Sequence, residues 1–296
     1  MADYELKPPV SGVDVVLDTD TYNEIDDQFA LAYLLKNAPA LNTLAILAAP
    51  FHNARSSSPA DGMEKSYDEI LRLLPLLGHS CENFVYRGSD RWLADENTPV
   101  DSPAARRLVE ISQGYTKDRP LYVVAIGAIT NVASAYLMDR TLADRIVLVW
   151  LGGHAHHWHS NREFNLFQDV AAARVIFDSP IPFVQLPCQG CVSEFRISDA
   201  DLDRYFTGKN PLCDYLARSV KEEVSRYTTA PWTRVIWDVT AVAWLLGGFM
   251  ADRTVPAPIP QYDDTWAFAE GRRPMTYVYQ IHRDKLFRDL VQKLGE

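Results

Sequence analysis

The sequence has few cysteines and too little positive charge for an anionic partner. Its 296 residues include four cysteines, 29 lysines and arginines, and 39 aspartates and glutamates, so the formal net charge is −10. Four cysteines in a chain of this length do not form a disulfide framework. The acidic balance argues against a nucleic-acid backbone or an anionic membrane as the main partner.

Long apolar runs and targeting signals are also missing. No stretch approaches the ~18 uninterrupted apolar residues of a membrane-spanning helix. The opening MADYELKPPVSG lacks the basic and apolar blocks of a signal peptide. We therefore expect a cytoplasmic protein with free thiols that neither binds nucleic acid nor enters a membrane.

What the sequence does contain is a regular alternation of short apolar runs and helical patterns. Such alternation predicts parallel strands joined by crossover helices. We predict a single domain over 1–296, with a doubly wound, mostly parallel α/β sheet. The predicted strands are 13–18, 43–49, 83–88, 121–127, 145–153, 182–187 and 275–281. The predicted helices are 24–36, 60–77, 102–113, 130–138, 169–178, 198–206, 211–227, 238–247 and 283–294. The Pro-rich segment 255–264 is interpreted as a surface loop.

The densest feature is LDTDTYNEIDDQFAL at 17–31, in which acidic residues follow the first predicted strand. Asn23 is predicted to cap the next helix. Carboxylates gathered in a half-buried crevice need a cation or shared protons, and oxygen-only ligands favour Ca²⁺ or Mg²⁺. Functional sites of doubly wound sheets lie at the carboxyl ends of the strands. The acids of this cluster are Asp18, Asp20, Glu24, Asp26 and Asp27.

One enzyme class that fits this segment is the haloacid-dehalogenase-type phosphatase. LDTDT contains its Asp-x-Asp-x-Thr pattern, with Asp18 as the nucleophile and Asp20 as the acid/base. That class also needs a late acidic pair borne on a strand. The late pair here, Asp263-Asp264, lies in a Pro-rich segment with no apolar strand before it. The phosphatase is therefore the alternative enzyme.

The same segment resembles the opening Asp-x-Asp…Asp-Asp signature of the nucleoside hydrolase family. TYNEI, between Asp20 and Asp26, is two residues longer than the common spelling. Later segments match the family's motifs in order and extend the resemblance over roughly 13–247. They are AAPFHN (48–53), AIGAITNVASAY (125–136), LGGHAHHWHSNREFNLFQDVAAARVIF (151–177) and VIWDVTAVAWLL (235–246).

The resemblance implies a Rossmann-like fold, hydrolysis of the N-glycosidic bond of a nucleoside, bound Ca²⁺ and a homo-dimer or tetramer. Asp20 would be the general base that activates water. The implied Ca²⁺ ligands are Asp20, Asp27, the carbonyl of Thr130, and Asp238. The implied sugar-binding residues are Asp26, Asn53, Glu163 and Asn165.

The resemblance also implies that two tryptophans contact the base of the nucleoside. Trp237 stands where many family members have histidine, which resembles the purine-preferring branch, and Trp92 is a candidate for the opposite face of the base. Because the opening motif and the residue before Asp238 both depart from the common pattern, a non-catalytic nucleoside- or sugar-binding homologue is a further alternative. The candidate acids for the leaving group lie in the histidine-rich loop and are His154, His156, His157 and His159.

We assign no functional role to two other motifs. CQGC (188–191) does not open a helix in the way a redox motif does, so we expect no redox role. Glu222-Glu223 is interpreted as solvated surface.

Overall fold

The computed structural model describes residues 6–296. Its strands are β1 (Val13–Thr19), β2 (Leu41–Ala48), β3 (Val85–Arg87), β4 (Leu121–Ala125), β5 (Ile146–Leu151), β6 (Phe183–Leu186), β7 (Arg196–Ser198), β8 (Thr233–Val235), β9 (Met250–Pro256), β10 (Ile259–Pro260), β11 (Trp266–Ala267) and β12 (Pro274–Ile281). Its α-helices are α1 (Asp26–Lys36), α2 (Pro59–Leu76), α3 (Pro103–Ser112), α4 (Thr130–Met138), α5 (Phe164–Gln168), α6 (Val170–Asp178), α7 (Asp199–Tyr205), α8 (Pro211–Val224), α9 (Val239–Leu246) and α10 (Arg283–Gly295).

The main sheet has eight strands in the order β3-β2-β1-β4-β5-β6-β12-β9. Neighbouring strands in it run parallel, except that β9 pairs antiparallel with β12 at one edge. The chain moves outward from β1 in one direction and from β4 in the other, so the strand order reverses between them. A crevice therefore opens beyond the carboxyl ends of β1 and β4, which is where doubly wound sheets bind ligands.

Apolar side chains cover both faces of this sheet. Along β1, Val15 and Leu17 pack into one hydrophobic core and Val16 into the other. Alternation of this kind follows from the two-residue period of a strand. The prediction of a mostly parallel α/β sheet with helices on both faces is confirmed. Within residues 6–296, no helix is both long and apolar enough to cross a membrane.

All of the predicted strands and helices are present, with ends shifted by a few residues. The sequence did not predict α5, the short β7–β8 and β10–β11 pairs, or β9. The interpretation of 255–264 as loop was wrong in part, because β9 extends to Pro256 and β10 covers Ile259–Pro260. β9 is an edge strand with half-exposed and exposed side chains, so it lacks the apolar run that marks a central strand.

The start of α1 also differs from the prediction. The helix begins at Asp26, and its N-cap residue is Ile25, which makes no side-chain capping bond. Asn23 therefore does not cap the helix. α1 packs against α9, and this contact brings the first turn of α1 beside Asp238 at the start of α9.

Candidate functional site

A cleft lies at the carboxyl ends of the central strands. It contains about 570 Å³ of empty space, including its open mouth. Asp20 follows β1, Ile126 follows β4, Leu151 ends β5, and Cys188 follows β6. The residues predicted from the sequence that line this cleft are Asp20, Asp26, Asp27, His154, Glu163, Asn165, Trp237 and Asp238.

Three buried carboxylates converge at one end of the cleft. Asp26, Asp27 and Asp238 each offer an oxygen, and these oxygens all lie within 4.8 Å of one another. The Thr19 hydroxyl donates a hydrogen bond of 2.5 Å to Asp27 Oδ1 and so fixes that carboxylate. The convergence depends on two helices that start at the same edge of the sheet, α1 and α9.

Asp20 is the carboxylate next to this group. It is almost completely buried, and neither side-chain oxygen has a hydrogen-bond partner within the described residues. The turn after β4 closes over it, since a Cβ on Gly127 would lie 3.1 Å from Asp20 Oδ1. Buried acceptors without donors are costly. The oxygens of Asp20 are therefore positioned to bind a ligand rather than another group of the protein.

The acids of the cleft perturb one another strongly. Burial, followed by the charges of Asp27 and Asp26, raises the pKa of Asp20 well above its usual range. Burial is also the main cause that raises the pKa of Asp26 and Asp27 to about 7. The pKa of Asp238 is raised well above its usual range by burial and then by Asp26 and Asp27. Such a set of oxygen donors fits a hard divalent cation, which would offset the crowded charge.

Thr130 lies behind the cleft, at the first residue of α4. Its hydroxyl donates a hydrogen bond of 2.7 Å to Asp169 Oδ2, and it is completely buried. Asp169 also accepts from the backbone N–H groups of Leu93 and Ala172. The Thr130 side chain thus joins α4 to the start of α6.

The opposite wall is formed by Glu163 and Asn165. Glu163 accepts hydrogen bonds of 2.8–3.0 Å from the backbone N–H groups of Gly153, Asn165 and Leu166. Gly153 has φ +75°, a conformation that favours glycine and directs its N–H to Glu163. The Asn165 amide donates to the carbonyls of Ile126 and Leu151. Both side chains are therefore fixed in the cleft wall by backbone groups.

The two predicted tryptophans lie in different places. Trp237 is half-buried and lines the cleft immediately before Asp238. Trp92 does not line the cleft, because the backbone of its neighbour Leu93 is tied to Asp169 at the start of α6.

The histidine-rich loop contributes His154 to the cleft, and its other three histidines do not line it. His154 Nδ1 accepts from the backbone N–H of Gln189, and burial lowers the pKa of His154 to about 4. The His156 ring packs on Tyr277 and bonds Gln185 at 2.9 Å, and burial lowers the pKa of His156 to about 4 as well. Both rings are neutral at pH 7.

The cysteines are free thiols, as expected. Cys188 lines the cleft beside Glu163, a position that the sequence did not predict. Burial and the Glu163 charge raise the pKa of Cys188 well above its usual range, so it stays protonated. The Cys191 thiol donates to the carbonyl of Val278. Neither residue is placed as a reactive thiolate.

The extra residues of TYNEI form one side of the cleft, where Asn23 and Glu24 line it. Arg234 bonds Glu24 at 2.5 Å and Glu223 at 3.3 Å. Arg55 bonds Glu223 at 3.1 Å and also donates to the carbonyl of Asn23. The interpretation of Glu223 as solvated surface was wrong, because its side chain is only 15% exposed and binds two arginines. Adjacent acids in the sequence give no signal of such distant partners.

Asn53 lies outside the cleft lining and supports this insertion from behind. Its Nδ2 donates a hydrogen bond of 2.7 Å to Asn23 Oδ1. The amide that reaches the cleft from this side is therefore that of Asn23. The sequence analysis assigned the sugar to Asn53 and a helix cap to Asn23, because contacts between irregular segments leave no local pattern.

Asp18 is not placed as a phosphatase nucleophile. It is fully buried, lies outside the cleft lining and accepts a hydrogen bond from Asn131 Nδ2 at 2.8 Å. Asp264, of the late acidic pair, bonds Arg162 instead.

Comparison with known proteins identifies the family of the chain. A model of the inosine-uridine preferring nucleoside hydrolase family matches residues 15–275. The chain is 27% identical over 288 residues to the pyrimidine-specific ribonucleoside hydrolase RihA of Shewanella sp. (strain MR-4), covering 88% of this chain and 84% of that one. It is 28% identical over 262 residues to RihA of Enterobacter sp. (strain 638), covering 78% of each.

Solved structures with the same fold include two nucleoside hydrolases. A plant nucleoside hydrolase, the PpNRh1 enzyme, matches with a TM-score of 0.77 and 19% identity over 96% of this chain and 99% of that one. The purine-preferring ribonucleoside hydrolase from Gardnerella vaginalis matches with a TM-score of 0.74 and 17% identity, over 95% and 98% of the two chains. At these identities the structures establish the fold, and the family follows from the match over residues 15–275. The chain belongs to the inosine-uridine preferring nucleoside hydrolase family and is a nucleoside N-ribohydrolase.

Proposed function

We propose that this enzyme is a Ca²⁺-dependent hydrolase that cleaves the N-glycosidic bond of purine ribonucleosides to free base and ribose. The observation that carries the proposal is Asp20, a buried carboxylate with two unpartnered oxygens beside three converging acids. A carboxylate in this setting suits both metal binding and proton abstraction.

The residues of the cleft that would hold the cation are Asp20, Asp27 and Asp238. The family resemblance adds the backbone carbonyl of Thr130, a residue that does not line the cleft. A bound divalent cation supplies a Lewis acid that lowers the pKa of a water molecule. Asp20 lies beside the acids that would hold the cation, and neither of its buried oxygens has a partner among the described residues. Asp20 takes the proton of the attacking water as general base.

The transition state of glycosyl hydrolysis carries positive charge on the sugar. The surrounding carboxylates stabilise that charge, since they are fixed in place before the reaction. Glu163, Asn165 and Asp26 hold the sugar hydroxyls in the orientation that attack requires. The backbone hydrogen bonds to Glu163 and Asn165 support this role.

The preference for purines rests on Trp237. An indole at the cleft wall offers a stacking surface, and stacking on a base is worth about 1–3 kcal/mol. The relatives by sequence are named pyrimidine-specific, while the Gardnerella enzyme is named purine-preferring. Trp237 is half-buried in the cleft wall, and we assign to its indole the preference for the larger base.

We also propose a cytoplasmic location and a homo-dimer or tetramer. The free thiols support a reducing compartment. Sedimentation of the purified protein tests the assembly, and a monomer at micromolar concentration would contradict it.

The activity is tested by incubating the protein with inosine, adenosine, guanosine, uridine and cytidine and measuring free base and ribose. We expect base release from the purine ribosides first. A parallel reaction with p-nitrophenyl phosphate tests the phosphatase alternative. Phosphate release without base release, or nucleoside binding without turnover, would contradict the proposal.

A further inference from the structure

The TYNEI insertion places a neutral amide among the acids of the cleft. Asn23 lines the cleft between Asp20 and Glu24 and is only 6% exposed. Its backbone N–H donates a hydrogen bond of 2.6 Å to the carbonyl of Asp20. The position of this side chain is therefore tied directly to the acidic cluster.

The direction of the Asn23 amide follows from its partners. The backbone N–H of Arg55 donates to Asn53 Oδ1 at 2.8 Å, so the other end of the Asn53 amide is the donor. Asn53 Nδ2 then donates to Asn23 Oδ1 at 2.7 Å. This relay leaves Nδ2 as the free end of Asn23, and no group within residues 6–296 accepts its hydrogens.

Among the residues that line this side of the cleft, Asn23 is the one with a free amide donor; Arg234 Nε is also unpartnered but lies outside the lining. Its neighbours Asp20, Glu24, Asp26 and Asp27 are carboxylates, which accept hydrogen bonds when ionised. The amide of Asn165, on the opposite wall, already donates to two backbone carbonyls. A hydroxyl that gives its hydrogen to one of the carboxylates still has lone pairs to satisfy, and Asn23 Nδ2 can supply the donor.

The insertion is held firmly enough to keep this amide in place. Arg55 lies over the Tyr22 ring at 4.5 Å and donates to the Asn23 carbonyl at 3.2 Å. Arg55 and Arg234 share Glu223 as an acceptor, which ties the insertion to the end of α8.

We infer that Asn23 is a substrate-binding residue that donates from Nδ2 to a hydroxyl oxygen of the sugar, and that Asn53 is its positioning residue. The inference rests on the proposed nucleoside hydrolase function and assigns to the chain's own insertion a part in selecting ribosides over deoxyribosides.

The test compares Asn23→Ala and Asn53→Asp with wild type on inosine, uridine and their 2′-deoxy and 3′-deoxy analogues. Asn53→Asp keeps the acceptor for Arg55 and removes the donor to Asn23. We expect Asn23→Ala to lower kcat/KM for both ribosides about tenfold, the effect of one hydrogen bond. The loss should vanish for the analogue that lacks the contacted hydroxyl. Asn53→Asp should raise KM with little change in kcat.

The matched control is Asn42→Ala, an exposed asparagine that bonds Asp14 at the start of the sheet and should leave all rates unchanged. Urea unfolding checks that each variant folds. An equal loss on every analogue, a loss confined to one base, or no loss would overturn the role of Asn23. If wild type turns over no riboside, the proposed function fails instead, and calorimetric binding of the same analogues to the variants decides the Asn23 inference separately.

Discussion

Single residues of the cleft are held in states that folding alone does not favour. Asp20 is the clearest case, because burial and nearby acids raise its pKa and neither oxygen has a donor. The sequence predicted the location of Asp20, since acids that follow a strand in a doubly wound sheet fall at the edge where the site lies. It did not predict that both oxygens lack a donor. The sequence predicted Asn53 as a sugar-binding residue and Asn23 as a helix cap; the hydrogen bond between them joins two irregular loops and has no local signal.

Replacing Asp20 with asparagine should separate catalysis from stability. The amide has the same shape and no charge, so we expect unchanged or higher stability and a fall in kcat of about 10²–10⁴, the usual contribution of a general base. Asp14→Asn, at the other end of β1, is the control. Steady-state kinetics and urea unfolding measure both effects, and near-wild-type kcat in Asp20→Asn would remove Asp20 from the mechanism.

Replacing Trp237 should weaken the binding of purine ribosides more than that of pyrimidine ribosides. We expect Trp237→Ala to weaken purine riboside binding by about 1–3 kcal/mol, whereas Trp237→Phe keeps an aromatic surface and most of the affinity. Fluorescence or calorimetric titration with inosine and uridine measures the difference. Equal losses for both bases in Trp237→Ala would show that the indole serves packing rather than recognition of the base.

The strands and helices of the sheet position these residues. The sequence predicted the strands and helices, but it did not predict the conformation of the loops. Apolar runs predicted the central strands, while β9, an edge strand, lacked such a run. The insertion and the histidine-rich loop depend on long-range partners such as Glu223 and Tyr277, which no local pattern indicates.

Replacing Arg234 should destabilise the TYNEI insertion. Arg234→Met keeps most of the side-chain length and leaves Glu24 without its ion-pair partner beside Asp26. Burial, followed by the neighbouring charge of Asp26, raises the pKa of Glu24 to about 7, and the charge of Arg234 opposes that rise. Because the Glu24 side chain is 38% exposed, we expect a loss of about 1–3 kcal/mol in the free energy of unfolding, together with a raised KM.

Arg91→Met is the control for this change, because its pair with Asp90 is solvent-exposed and such pairs contribute about 0–1 kcal/mol. Urea unfolding compares the two variants. Equal small losses would mean that the contacts of Arg234 do not stabilise the insertion.

His156 should make the histidine-rich loop sensitive to acid. Its folded-state pKa is about 4 against an ordinary value of 6.5, so the unfolded chain binds the proton more readily between those values. Its contribution to stability is full above pH 6.5 and falls with decreasing pH, at up to about 1.4 kcal/mol per pH unit. Urea unfolding from pH 7.5 to 4.5 should show a shallower decline in His156→Gln than in wild type or in His159→Gln, an exposed control. Identical slopes would contradict the role of His156.

The whole molecule brings distant parts of the chain to one cleft. β1 and β12 belong to the same sheet although they lie near opposite ends of the sequence, which supports the prediction of one domain.

The net charge of −10 and the buried acids make the metal-free protein electrostatically crowded. Anything that binds the folded state alone stabilises it in proportion to the logarithm of its concentration. We therefore expect added Ca²⁺ to raise the melting temperature of wild type and to have a much smaller effect on Asp238→Asn.

The most direct test is the release of purine base by wild-type protein after chelation and after return of Ca²⁺. We predict that chelated protein releases no base from inosine, and that stoichiometric Ca²⁺ restores equal amounts of hypoxanthine and ribose. Full turnover in the presence of excess chelator, or no turnover after Ca²⁺ is returned to folded protein, would contradict a Ca²⁺-dependent nucleoside hydrolase.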